Sequence, residues 1–155
     1  MYLKSIIFQR KKRMTLYSIV TAIERKALEM PNIRSSAEGS VVDYLNNTPN
    51  IQYGVFFVQQ TNHTEDINNW YYGFNLYVID RLTDTMRDNA LEIQSSSLDS
   101  LHNILLWLED DMDMQVDSVT YYPFTQRFAD ECAGVYASVR ISISKEWICP
   151  DDYNL

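Results

Sequence analysis

Two histidines, two cysteines and a few clustered carboxylates are the residues of this chain best suited to chemistry. Their spacing decides what each can do. His63 lies in a polar stretch with Glu65 two residues on, a pair that offers two ligands to a metal. Metal sites of this kind take three or four ligands. No third is evident in the sequence, so no metal site is expected. His102 falls beside an apolar helical stripe and reads as a packed or flanking residue. The run Glu109-Asp110-Asp111-Met112-Asp113 has the carboxylate density of a calcium loop but no glycine to turn it. It reads as solvated acid. Asp80 and Asp84 flank Arg81 at a strand end, which suggests a structural ion pair. Asp130 and Glu131 are adjacent, and adjacent side chains usually point apart, so shared acid–base work is not expected of them. Cys132 and Cys149 form no C-x-x-C pair and have no nearby histidine, which argues against a disulfide framework and fits a reducing compartment. No G-x-S-x-G, Walker loop or Cys/His pair is present. The reading is therefore of a chain without catalytic residues, metal or cofactor.

Composition points the same way. The 155 residues suffice for one domain with a real core, and 46% hydrophobic against 22% charged residues is a globular balance. Four glycines and four prolines leave little material for a flexible linker or a phosphate-binding loop. Eleven tyrosines exceed what one small core needs. Tyrosine suits strands and interfaces, where one end of the ring is dry and the other wet. No apolar run approaches the roughly 20 residues of a membrane span. The patch Ile6-Ile7-Phe8 is too short for a signal peptide, and the basic cluster follows it instead of preceding it.

The net charge of −8 is unevenly divided. Residues 1–13 hold Lys4, Arg10, Lys11, Lys12 and Arg13 and no acid. The remaining chain sets eight basic against 21 acidic residues, a net −13. The sequence thus divides into a basic N-terminal arm (residues 1–13) and a single acidic domain (14–155). The arm reads either as an idle appendage (a disordered tail, or a start codon read upstream of Met14) or as a docking segment. In the second reading Lys4, Ile6, Ile7, Phe8, Arg10, Lys11, Lys12 and Arg13 are its contact residues. The acidic body repels nucleic acid, whereas the arm can meet DNA or an acidic neighbour.

The elements that must position these residues follow from periodicity. Leu16, Ile19, Val20, Ile23, Ala27 and Met30 recur at helical spacing over residues 15–30, with Pro31 as the stop. A polar stretch, Arg34 to Ser40, precedes one possible helical turn at Val41–Leu45. Tyr53–Gln60 and Trp70–Ile79 read as a hairpin joined by a polar connection. In the second strand Trp70, Tyr72, Phe74, Leu76 and Val78 share one face. Those aromatics have no lysine or arginine on their own strand, which argues against an RNA-reading sheet. Residues 80–94 read as a polar crossing. Ser96 to Asp99 resembles a capping box for a helix running to about Leu108. Carboxylates at Glu109, Asp110, Asp111 and Asp113 oppose the dipole at that end and suggest an acidic face toward a partner or channel. Val116–Tyr122, stopping at Pro123, and Val135–Ile143 complete the chain. The order α, β, β, α, β, β predicts an α+β fold: a mostly antiparallel four-stranded sheet with two helices on one face.

Tyr77-Val-Ile-Asp80-Arg81, then Glu92-Ile-Gln-Ser95 and Leu98 to Leu108, resemble a strand–loop–helix pattern of small virion proteins of tailed bacteriophages, the crAss-like viruses of gut Bacteroidetes among them. The closing stretch is similar too, with Pro123-Phe124, Phe128-Ala-Asp130, Ala133-Gly134, a long alternating strand and Cys149-Pro150. The matches span roughly residues 14–150, each through a short motif; the basic arm lies outside the pattern. The resemblance is to the neck or tail-completion class, which forms head–tail connector rings between portal and tail. It implies a tail-terminator-like fold and a structural, non-enzymatic role. The chain would be a homo-oligomer in a six- or twelve-fold ring, bound to adjacent neck, portal or tail proteins. Phage DNA would pass through non-specifically, with no membrane involved, and assembly in the host cytoplasm would place the protein in the virion. A small cytoplasmic ligand-binding or partner-binding domain is the alternative.

Overall fold

A computed structural model describes residues 14–83, 89–127 and 129–147. Among the described residues the chain is α+β, with three helices and one five-stranded mixed sheet. In order, these are α1 (Leu16–Ala27), β1 (Ser35–Glu38), α2 (Val41–Asn47), β2 (Val55–Glu65), β3 (Asn69–Arg81), α3 (Asn89–Asp110), β4 (Gln115–Arg127) and β5 (Glu131–Ser144). Across the sheet the order is β1-β2-β3-β5-β4. β1 runs parallel to β2, and every other pair is antiparallel.

Four antiparallel strands and two helices were expected. The fifth strand, β1, comes from the polar stretch Arg34–Ser40. Ser35-Ser36-Ala37-Glu38 has no apolar alternation, and its strand form is imposed by pairing with Val55–Val58. The third helix is the expected turn at Val41, extended to seven residues and capped by the Ser40 side chain, which accepts from the Asp43 N–H. α1 ends at Ala27, short of Pro31, where the Leu28 N–H closes on the Glu24 carbonyl.

The largest difference is in α3. It begins by Asn89 within the stretch read as a crossing, and runs 22 residues. Ser96, read as an N-cap, lies inside it and donates its hydroxyl to the Glu92 carbonyl 3.0 Å back along the helix. Serine can make that backward bond mid-helix as well as cap a helix, so the sequence motif alone is ambiguous. Ile93, Ser97, Leu101, Ile104 and Leu108 place a buried stripe along nearly its full length. At the other end Glu109 and Asp110 belong to its last turn.

The strands also run longer than their apolar cores. β2 continues through polar Thr61–Glu65. The hairpin turn is instead made by Asp66, whose carboxylate accepts from the Asn68 and Asn69 N–H groups and from the Tyr71 hydroxyl. β4 passes through Pro123 to Arg127. It is the sheet's edge, where a missing N–H is tolerated.

α1 and α3 seal one sheet face. Phe56 and Val58 of β2, Phe74, Leu76 and Val78 of β3, and Val135 to Ile143 at alternate positions of β5 point into that layer. The alternations expected for β3 and β5 are those observed. Gly134 lets β3 and β5 pass at close range, because a Cβ there would collide with the Val78 carbonyl. The Trp147 indole donates to the Met112 carbonyl at 3.2 Å, tying the segment after β5 to the turn after α3.

Candidate interaction surfaces

The sheet face opposite α1 and α3 is only partly covered. α2 packs Val41 and Leu45 onto Val55, Phe57, Ile79 and Cys132, making a small second core. Beyond it the side chains turn aromatic. Tyr77 stacks on Tyr136 with ring centroids 4.8 Å apart, and Tyr136 stacks on Tyr122 at 4.9 Å. Phe124 meets Tyr77 edge-on and Tyr44 leans on Phe57. The three tyrosines come from neighbouring strands in register, Tyr77 opposite Tyr136 and Tyr136 opposite Tyr122. Where this ladder meets α2 there is a cleft of about 220 Å³ lined by Val41, Val42, Leu45, Tyr77, Ile79, Phe124 and Tyr136. Val42 is exposed on it, and Tyr122 is exposed at the outer end of the ladder.

Further along the same face the chemistry becomes polar. Arg140 donates to Asn62 Oδ1 at 3.2 Å and Thr64 Oγ1 at 2.8 Å, and lies over the Tyr71 ring. At the same end of the sheet, but on the helix-side register where Trp70 lies opposite Ile143, Lys145 pairs with Glu65 at 2.8 Å and lies over Trp70. The aromatic strand β3 thus receives cations from the β5 side, which its own sequence did not show. Both cations already have partners, so this is no ready basic patch for nucleic acid.

A second surface lies on the helix side, between α3 and the outer strand β4. His102, Leu105, Leu106, Glu109, Val116, Val119 and Tyr121 line an open groove of about 360 Å³. Leu106 is 55% exposed there. His102 is exposed and sets its ring edge-on to Tyr121 at 4.9 Å, so its expected flanking role holds. Glu109, Asp110, Asp111 and Asp113 are all exposed and continue from one end of the groove. Among the described residues no cation pairs with them. Grouped groups of His, Cys, Asp and Glu able to hold a metal are also absent among the described residues.

The remaining candidates resolve individually. His63 bonds Gln60 at 2.8 Å and packs its ring on Tyr72 and Phe74. Burial, with Arg140 nearby, lowers its pKa and favours the neutral ring. Arg81 pairs with Asp130 at 3.6 Å. Its expected partners differ: Asp80 accepts from the Arg81 backbone N–H instead, and Asp84 lies outside the described residues. β3–β5 pairing carries Arg81 to the start of β5, a long-range contact invisible to local spacing. Asp130 also accepts the Tyr53 hydroxyl at 2.8 Å, and the Cys132 thiol lies 3.6 Å from that hydroxyl. Burial is the main cause that raises the pKa of both Tyr53 and Cys132. The thiol is therefore held protonated, the reverse of an activated nucleophile. The group ties the segment before β2 to β5. The arm residues Lys4, Ile6, Ile7, Phe8, Arg10, Lys11, Lys12 and Arg13, and also Phe128, Cys149 and Pro150, lie outside the described residues. Among the described residues no helix is long and apolar enough to cross a membrane.

No protein-family model matches the sequence, and no curated protein matches it either.

Proposed function

We propose that this chain is a structural protein of a tailed-phage neck, a ring component between portal and tail that acts through the surfaces it offers to other chains. The single observation that carries the reading is the unequal covering of the sheet. Two helices seal one face, while on the other a seven-residue helix leaves a ladder of stacked tyrosines at the surface. Exposed aromatic patches rimmed by polar groups are the usual chemistry of protein–protein contact. The resemblance of Tyr77–Arg81, Glu92–Leu108 and the closing strand to neck and tail-completion proteins supplies the kind of assembly.

The charge supports the same reading. A net −13 outside the arm repels phosphate. A lumen lined by such subunits lets packaged DNA slide without adhering. The small-ligand alternative has less behind it. The cleft at the tyrosine ladder, about 220 Å³, falls below the usual 300–1,000 Å³ of small-molecule sites, and the α3–β4 groove, about 360 Å³, is an open surface trough and not an enclosing pocket.

Native mass spectrometry of the purified chain, alone and with the portal and neighbouring neck proteins, tests the proposal. The expected result is a closed ring of one discrete copy number. A monomer at every concentration that joins no ring in either mixture would overturn it.

A further inference from the structure

The groove between α3 and β4 has an apolar floor, an exposed leucine on its rim and an acidic end. β4 pairs only with β5 among the described residues, so its outer edge carries unpaired backbone groups along an extended strand. Leu105, Leu106, Val116, Val119 and Tyr121 supply the apolar part. Glu109, followed by Asp110, Asp111 and Asp113, supplies the charge, with no cationic partner among the described residues. Such a surface suits an extended peptide that is apolar at one end and cationic at the other. The chain contains one: residues 1–13, where Ile6-Ile7-Phe8 are followed by Arg10-Lys11-Lys12-Arg13.

We infer that the groove between α3 and β4 receives the N-terminal arm, residues 1–13, of a second copy of this chain. The apolar trio sits over Leu106 and Tyr121, and the basic run over the acidic end of α3. Thirteen extended residues span at most about 43–47 Å. The point of attachment favours another copy. The arm joins at Met14, which is buried in the main core immediately before α1. α1 packs on α3, β2 and β1, toward the opposite end of the sheet from β4. Arm on one copy and groove on the next form a head-to-tail contact, the kind that closes rings. This inference rests on the ring reading and names the contact that would close it.

The test uses the full chain. Leu106→Glu changes an exposed residue, so the fold should be retained, as a thermal melt would verify. It should raise the protein concentration needed for assembly at least tenfold, as should Phe8→Glu. In a Cys149→Ser background, Phe8→Cys with Leu106→Cys should yield covalent dimers and larger species on oxidation. A link formed only within single copies would overturn docking in trans. Rings that assemble normally with Leu106→Glu and give no cross-link would overturn the inference and leave the ring reading standing. A chain that neither assembles nor cross-links would sink both.

Discussion

The two faces of the sheet arise from the same alternation of side chains but are filled by different residues. Toward α1 and α3 the strands present Phe56, Val58, Phe74, Leu76, Val78, Val139 and Ile141, nearly all fully buried. Toward the other side they present Phe57 and Ile79 under α2, then tyrosines, then Arg140 and its polar partners. Aliphatic and phenylalanine side chains gain only from leaving water, whereas a tyrosine keeps a polar tip and tolerates a wet surface that a partner later covers. Stability therefore resides on the helix side, and the other side is available for contact.

The largest expected effect would break this contrast if it failed. Phe74→Ala removes a fully buried ring beneath α1 and α3 and should cost about 3–5 kcal/mol in urea denaturation. A loss under about 1 kcal/mol would mean that the helix-covered face is not the sealed core described.

The contrast was partly legible in the sequence, and the misses share a cause. Alternation in Trp70–Val78 and Val135–Ile143 named the buried face correctly because side-chain period follows directly from strand geometry. β1 was missed because Ser-Ser-Ala-Glu becomes a strand only through its partner β2. The early start of α3 was missed because a strong local cap motif at Ser96 outweighed weaker periodicity before it. The tyrosine ladder and the α3–β4 groove each join residues from separate elements. The excess of tyrosine hinted at the ladder, while nothing local marked the groove.

The rim of the sealed layer offers a finer test. Glu24 of α1 faces Glu38 of β1 and has one carboxyl oxygen buried without a partner. Burial first, then Glu38, raises its pKa to about 8. The sign follows from linkage. Below about pH 4.5 the carboxyl is protonated whether folded or unfolded. Between there and pH 8 only the folded chain holds the proton, so stability falls as pH rises through this window. Glu24→Gln keeps the shape without the charge. It should stabilise the protein by about 1–2 kcal/mol at pH 8, discounting for partial exposure, and leave it nearly unchanged at pH 4. Melts at the two pH values measure this. Equal effects at both would show that the α1–β1 rim is wetter than its geometry indicates.

The smallest effect on stability should accompany a large one on assembly. Tyr122 is 44% exposed and stacks on Tyr136 in parallel fashion, with ring planes 20° apart. Tyr122→Ala forfeits that stack and little buried area, so chemical denaturation should register a loss of about 0.5–1 kcal/mol. If the ladder is a contact surface, the same substitution removes an aromatic anchor from it, and such anchors commonly contribute 2 kcal/mol or more. The concentration at which the purified chain assembles should then rise more than tenfold. The two readings separate cleanly because stability and assembly are measured on the same variant. A loss of 3 kcal/mol in denaturation would make the ladder part of the core. Unchanged stability with unchanged assembly would remove it from any interface and leave the α3–β4 groove as the surface through which copies meet.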